Sequence, residues 1–267
     1  MIVVRRELIT DDDHFQEIKQ SNRALVKGKK QESSKPIILI TGDSWAAGEW
    51  NRSLSFDDEF FHRLYHSMAF YLEKFYDCHV IYFPNPGWHD YESILACQTY
   101  GDLCDYIIFF KTCSLRCFNM TGPYDFNLAD WPEDCEDIYQ IAYDINIDIY
   151  RHLETWKDKL VLFGGLTKIM DNIVKENKFF DIYPSVIELF DDKINDTWIM
   201  GFEEMWEVFK DKKYRKSLLD VMDTFANKKT YMTKKPAMYF PDNLHPNDSL
   251  QQKLAIMFGD KYLEKKA

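Results

Sequence analysis

Four short apolar runs punctuate the chain: Ile37-Ile38-Leu39-Ile40, His79-Val80-Ile81-Tyr82-Phe83, Tyr106-Ile107-Ile108-Phe109-Phe110 and Lys159-Leu160-Val161-Leu162-Phe163. None alternates, and Pro or Gly bounds most of them. That is the pattern of central parallel strands, buried on both faces. Between the first two runs Phe60, Leu64, Met68, Tyr71, Leu72 and Phe75 recur at spacings of three and four. This predicts one helix over Phe56–Tyr76 with a single apolar face, capped by Ser55 and carrying Asp57, Asp58 and Glu59 in its first turn. Tyr91–Tyr100 reads as a short helix. Ile138, Ile141, Ala142, Ile145, Ile149, Leu153 and Trp156 give helical period to Pro132–Lys157. Glu203–Phe225 reads as helical, and a last helix runs from about Ser249 to Leu263. A fifth strand is expected within Ser185–Phe190 or at Thr197–Met200. Strands alternating with helices mean βαβ units around a parallel sheet.

The pattern divides the chain into a polar extension, residues 1–35, and a single α/β domain, residues 36–267. The extension holds Asp11-Asp12-Asp13-His14 and a Lys/Ser-rich linker, and is a candidate arm for a protein partner. With 267 residues, 46% apolar and 29% charged, the chain can bury a full core. Its 16% aromatic content adds core volume more readily than a stacking surface. A net charge of −11 argues against nucleic acid or an anionic membrane as the main partner. No apolar run approaches the roughly 18 residues of a membrane span. The six cysteines lack paired C-x-x-C spacing, and the start of the chain has no signal-peptide pattern. Free thiols in a reducing cytoplasm are the expectation.

Two places carry candidate chemistry. The first apolar run ends in Gly42-Asp43-Ser44, so a strand delivers a serine to a turn at the carboxyl edge of the sheet, where open α/β folds bind ligands. Ser44 there is either a nucleophile or a cap for the next segment. Near the end stands Asp242-x-x-His245 followed by Pro246. An acid three residues before a histidine can reach Nδ1 and leave Nε2 facing a nucleophile. The plain reading is a turn aspartate and a loop histidine; Asp11-x-x-His14 has the same spacing and is assigned no role. A phosphate loop, Gly-x-x-x-x-Gly-Lys-Ser/Thr, does not occur.

Gly42-Asp43-Ser44 near the start, Asn85-Pro86-Gly87 after the second run and Asp242-x-x-His245 near the end together resemble the SGNH (GDSL-type) hydrolases. Gly-Asp-Ser-Trp-x-x-Gly-Glu-Trp is also similar to SGNH-like proteins of tailed bacteriophages, for which the compartment would be host cytoplasm or virion. The resemblance implies a flavodoxin-like, three-layer α/β/α sandwich with a mainly parallel five-stranded sheet. It implies Ser44 as nucleophile, His245 as base and Asp242 as its acid, with the N–H groups of Ser44 and Gly87 as oxyanion donors. No metal or organic cofactor is implied.

One block departs. Where the family has Gly-x-Asn-Asp after the third strand, this chain reads Lys111-Thr112-Cys113-Ser114. Loss of one oxyanion donor costs about 10²–10³ in rate, so Thr112, Ser114 or the Lys111 ammonium becomes the candidate replacement. Trp45, Trp50, Trp88 and His89 are candidates to line the pocket, with ordinary packing as the competing role. Two functions follow. One is a serine esterase or acetylesterase acting on a small-molecule or carbohydrate ester. The other is a catalytically impaired protein that keeps the fold as a structural or partner-binding component.

Overall fold

The computed structural model describes residues 2–3, 35–49, 54–84, 90–112, 136–165, 168–190, 239 and 245–266. The four apolar runs form strands β2 (Ile37–Gly42), β3 (His79–Pro84), β4 (Tyr106–Lys111) and β5 (Leu160–Gly164). The fifth strand of the core is β6, Asp181–Tyr183. It lies just before the expected Ser185–Phe190, which instead forms the short helix α7 (Val186–Leu189), capped by Ser185. The alternative at Thr197–Met200, and the helix expected over Glu203–Phe225, lie outside the described residues. Two residues of the N-terminal extension also join the sheet, as edge strand β1 (Ile2–Val3) beside β3.

The order is β1-β3-β2-β4-β5-β6, and each pair of neighbouring strands in it is parallel. Without the β1 edge this is the doubly wound, flavodoxin-like order. The chain leaves β2 toward β3 on one side, then crosses to place β4 on the other. The reversal opens a crevice at the carboxyl ends of β2 and β4, the usual ligand position in such sheets.

Because successive strand side chains face opposite ways, each strand feeds two cores. Ile37, Leu39, Ile81, Phe83, Ile107, Phe109, Leu160 and Leu162 pack on one side, against α4 (Asp90–Tyr100), α5 (Glu136–Leu153) and α6 (Asp171–Glu176). Ile38, Ile40, Val80, Tyr82, Ile108, Phe110, Val161 and Phe163 pack on the other. There they meet α2 (Phe56–Tyr65), α3 (Met68–Phe75) and α8 (Asp248–Tyr262). The expected three-layer α/β/α sandwich is present.

The helix expected over Phe56–Tyr76 is two helices. Ser67, fully buried, breaks it: its hydroxyl donates to the Leu64 carbonyl at 2.7 Å and accepts from the Phe70 N–H at 3.3 Å. A short polar side chain that bonds the local backbone favours a cap over a helix interior. The apolar spacing runs straight through the break, which is why periodicity alone read one helix. Cys78, Cys97 and Cys104 are free, buried thiols. Burial pushes Cys78 up to about 12 and raises Cys97 as well, so both are held as unreactive thiols. Among the described residues no helix is long and apolar enough to cross a membrane.

Candidate active site

Strand β2 ends at Gly42 because no other residue fits there. Its φ is +145°, and a Cβ would stand 2.7 Å from Phe110 Cβ and 2.9 Å from the Phe110 carbonyl oxygen. The glycine lets the turn pass close over β4. Asp43 then caps the short helix α1 (Ser44–Ala47): its Oδ1 accepts from the Trp45 N–H at 2.9 Å, and its carbonyl accepts from the Ala46 and Ala47 N–H groups at 3.2 Å each. Asp43 therefore takes three N–H groups of the turn. Ser44, first residue of the helix, is 6% exposed at the rim of the crevice.

The turn is braced from β4. Thr112, directly after that strand, donates its hydroxyl to Asp43 Oδ2 at 2.7 Å and its backbone N–H to Asp90 Oδ1 at 2.9 Å. Lys111 Nζ lies 2.6 Å from Asp90 Oδ2 and 3.3 Å from the Thr112 carbonyl, with no exposed surface. The chain Asp43–Thr112–Asp90–Lys111 thus runs buried beneath the carboxyl ends of β2 and β4. Burial raises the Asp90 carboxyl above the ordinary carboxylate range, opposed by the Lys111 ammonium and the Thr112 N–H.

This network revises two expectations. Thr112, named as a replacement oxyanion donor, has its hydroxyl on Asp43 and its N–H on Asp90, so an oxyanion role would require exchanging one of those bonds. The Lys111 ammonium is likewise engaged by Asp90, behind the turn. Trp45, a candidate pocket residue, is 1% exposed and packed with Ile40, Leu64 and Met68. Its ring is core, because the helical turn that presents Ser44 rotates the next side chain inward.

His245 is 9% exposed, in the loop before α8. Asn247 caps that helix, its side chain accepting from the Leu250 N–H at 3.1 Å. The first turns of α8 are bonded onto the serine segment. Fully buried Gln251 donates from Nε2 to the Trp45 carbonyl at 2.9 Å and accepts at Oε1 from the Met68 N–H at 2.9 Å. The Asp248 N–H donates to Glu49 Oε2 at 3.2 Å. Tyr82 secures the end of α1, its hydroxyl donating to the Ala47 carbonyl at 2.7 Å. Segments that begin some 200 residues apart are thus joined beside the crevice. Asp242, Gly87, Trp88, His89, Trp50, Cys113 and Ser114 lie outside the described residues.

Solved structures similar to this chain include an acylhydrolase and two esterases. A lipase/acylhydrolase from Enterococcus faecalis is 11% identical with a TM-score of 0.39, covering 87% of this chain and 99% of that one. A carbohydrate acetylesterase from Sinorhizobium meliloti is 14% identical with a TM-score of 0.37, covering 85% and 98%. An acetyl xylan esterase from Geobacillus stearothermophilus is 13% identical with a TM-score of 0.38, covering 87% and 97%. No family model matches the chain, and no curated protein matches it.

Sequence reasoning passed over Asp90, the true role of Lys111 and the bond from Thr112 to Asp43. The partners in these bonds are 21 to 69 residues apart, so nothing local marks them. The one available signal was a lysine ending an otherwise apolar strand, since a lysine in that position has to find a buried counter-charge.

Proposed function

We propose that the protein is a serine hydrolase of the ester-cleaving type, with Ser44 as nucleophile. The observation that carries this reading is the build of the Gly42–Ala47 turn. A glycine-dependent close approach and an aspartate that absorbs the N–H groups of Trp45, Ala46 and Ala47 set Ser44 at the switch point of the sheet. The bonds from α8 to the serine segment support His245 as the base.

In this reading Ser44 Oγ attacks the ester carbonyl as His245 takes its proton, and Asp242 stabilises the imidazolium. The N–H groups of Ser44 and Gly87 hold the oxyanion. His245 returns the proton to the leaving alcohol, and water then releases the acyl group by the same steps in reverse. With Thr112 and Lys111 engaged elsewhere, the oxyanion hole rests on two backbone donors, and turnover about 10²–10³ below a three-donor hydrolase is expected. Acetylated carbohydrates are the substrate class proposed.

The test is hydrolysis of a panel of short-chain aryl esters and acetylated sugars. Turnover that falls to background in Ser44→Ala and His245→Ala, with the fold retained, supports the reading; a wholly inert panel favours the scaffold role.

A further inference from the structure

Next to the serine segment, but distinct from it, ligating atoms converge from three parts of the chain. Glu49 follows α1, His66 ends α2, and Asp248 opens α8; one ligand atom from each lies within 4.8 Å of the others. His66 Nδ1 is 3.0 Å from Asp248 Oδ1. Gly48, with φ +105° and no room for a Cβ against the Arg63 carbonyl, brings Glu49 to this point, where its N–H donates to the His66 carbonyl at 3.2 Å. The Tyr71 hydroxyl donates to Asp248 Oδ1.

A second observation concerns His62, one helical turn before His66. Its ring centroid is 4.4 Å from that of His66, at an interplanar angle of 35°. Two imidazoles at this helical spacing share one face and can ligate one ion. Glu49, His66 and Asp248 offer one ring nitrogen and two carboxylates at this point, and His62, stacked on His66, adds a second ring nitrogen only by rotation of its side chain. That donor set suits zinc and its neighbours in the first transition row, whereas calcium and magnesium take oxygen almost exclusively. A tetrahedral site with bonds of about 2.0–2.1 Å places its ligands roughly 3.3 Å apart, close to the His66–Asp248 spacing. The Tyr71 hydroxyl would orient the Asp248 carboxylate in the way outer partners fix metal ligands. The His66 and Asp248 side chains are 38% and 35% exposed, which leaves an ion a path from solvent. Two carboxylates meeting here also repel one another. The α8 N-terminus offsets part of that through the Asp248 N–H on Glu49 Oε2, and a divalent cation would offset the rest.

We propose that Glu49, His66 and Asp248, with His62 turning in as fourth ligand, bind a zinc-class divalent cation that clamps the Ser44–Glu49 segment to the start of α8. The clamp is structural and does not depend on ester hydrolysis.

The test uses the full chain without a histidine tag, stripped with chelator and titrated with Zn²⁺ by calorimetry and with Co²⁺ by visible absorption. The expected result is one ion per chain, the absorption of a four-coordinate Co²⁺ site, and a Tm that rises with Zn²⁺. Affinity should fall at least about tenfold in Glu49→Gln, His66→Gln and Asp248→Asn, and less in His62→Ala. No saturable uptake, or uptake unchanged in the first three variants, would overturn the proposal and leave His66–Asp248 as an ion pair only. Should Asp248→Asn fail to fold, Glu49→Gln and His66→Gln carry the same test. Metal uptake is read with no substrate present, so an inactive Ser44 would not affect the outcome.

Discussion

At the scale of single residues, the site stands on a charge pair that the sequence shows only as an oddity. Lys111 Nζ and Asp90 Oδ2 meet at 2.6 Å with almost no exposure on either side chain. Removing one partner of such a pair costs about 3–5 kcal/mol, because the other charge is left buried. Lys111→Met should therefore destabilise strongly at neutral pH, and Asp90→Asn added to it should restore much of the loss. The pH dependence has a definite sign. The Asp90 carboxyl is already raised by burial, against the pull of Lys111, and without that ammonium it rises further. A folded-state value above the unfolded one, about 3.9, gives stability that is complete below the unfolded value and lost as pH rises through the folded one. Urea unfolding should thus show a smaller deficit for Lys111→Met at about pH 5 than at about pH 7. An equal deficit at both would mean that Asp90 is not the group left uncompensated. Gly42-Asp43-Ser44 was legible as a strand end delivering a serine. The bond from Thr112 to Asp43 was not, because it closes across 69 residues.

At the scale of elements, the strands were the most legible part. β2 to β5 are unbroken apolar runs, and burial on both faces leaves no alternation to confuse them. The misreadings have local causes. β6 has only three residues, all half-buried at the edge of the described sheet, so its apolar signal is thin. Ser67 splits α2 from α3 by a hydroxyl that periodicity does not see. Helix α8 was read within one residue of its observed bounds, yet what it does, pinning the serine segment, depends on Gln251. That side chain satisfies the Trp45 carbonyl and the Met68 N–H together. Gln251→Ala leaves both groups buried without these bonds and should cost about 1–3 kcal/mol for each. Ester turnover should fall further than stability predicts, because α8 carries the His245 loop. Full turnover in a folded Gln251→Ala chain would show that the pin does not position the site.

At the scale of the molecule, function is written in topology. The reversal of strand order at β2 opens the crevice, and Gly42, Asp43 and Thr112 use it to set one serine at the rim. That serine was named from a three-residue motif, and the fold gives the motif a physical reason. The bracing under it is where this chain differs from the pattern it resembles, with a salt-bridged lysine, Lys111, where that pattern has a glycine and Cys113 where it has the amide donor. The central claim is that Ser44 is a nucleophile activated by His245. Its most direct measurement is labelling of the folded full chain with a fluorophosphonate, with the modified residue located by peptide mass spectrometry. The account predicts one label per chain, on Ser44, lost in Ser44→Ala and slowed at least about a hundredfold in His245→Ala. Absence of label on the folded protein, or label on another serine that survives Ser44→Ala, would contradict it.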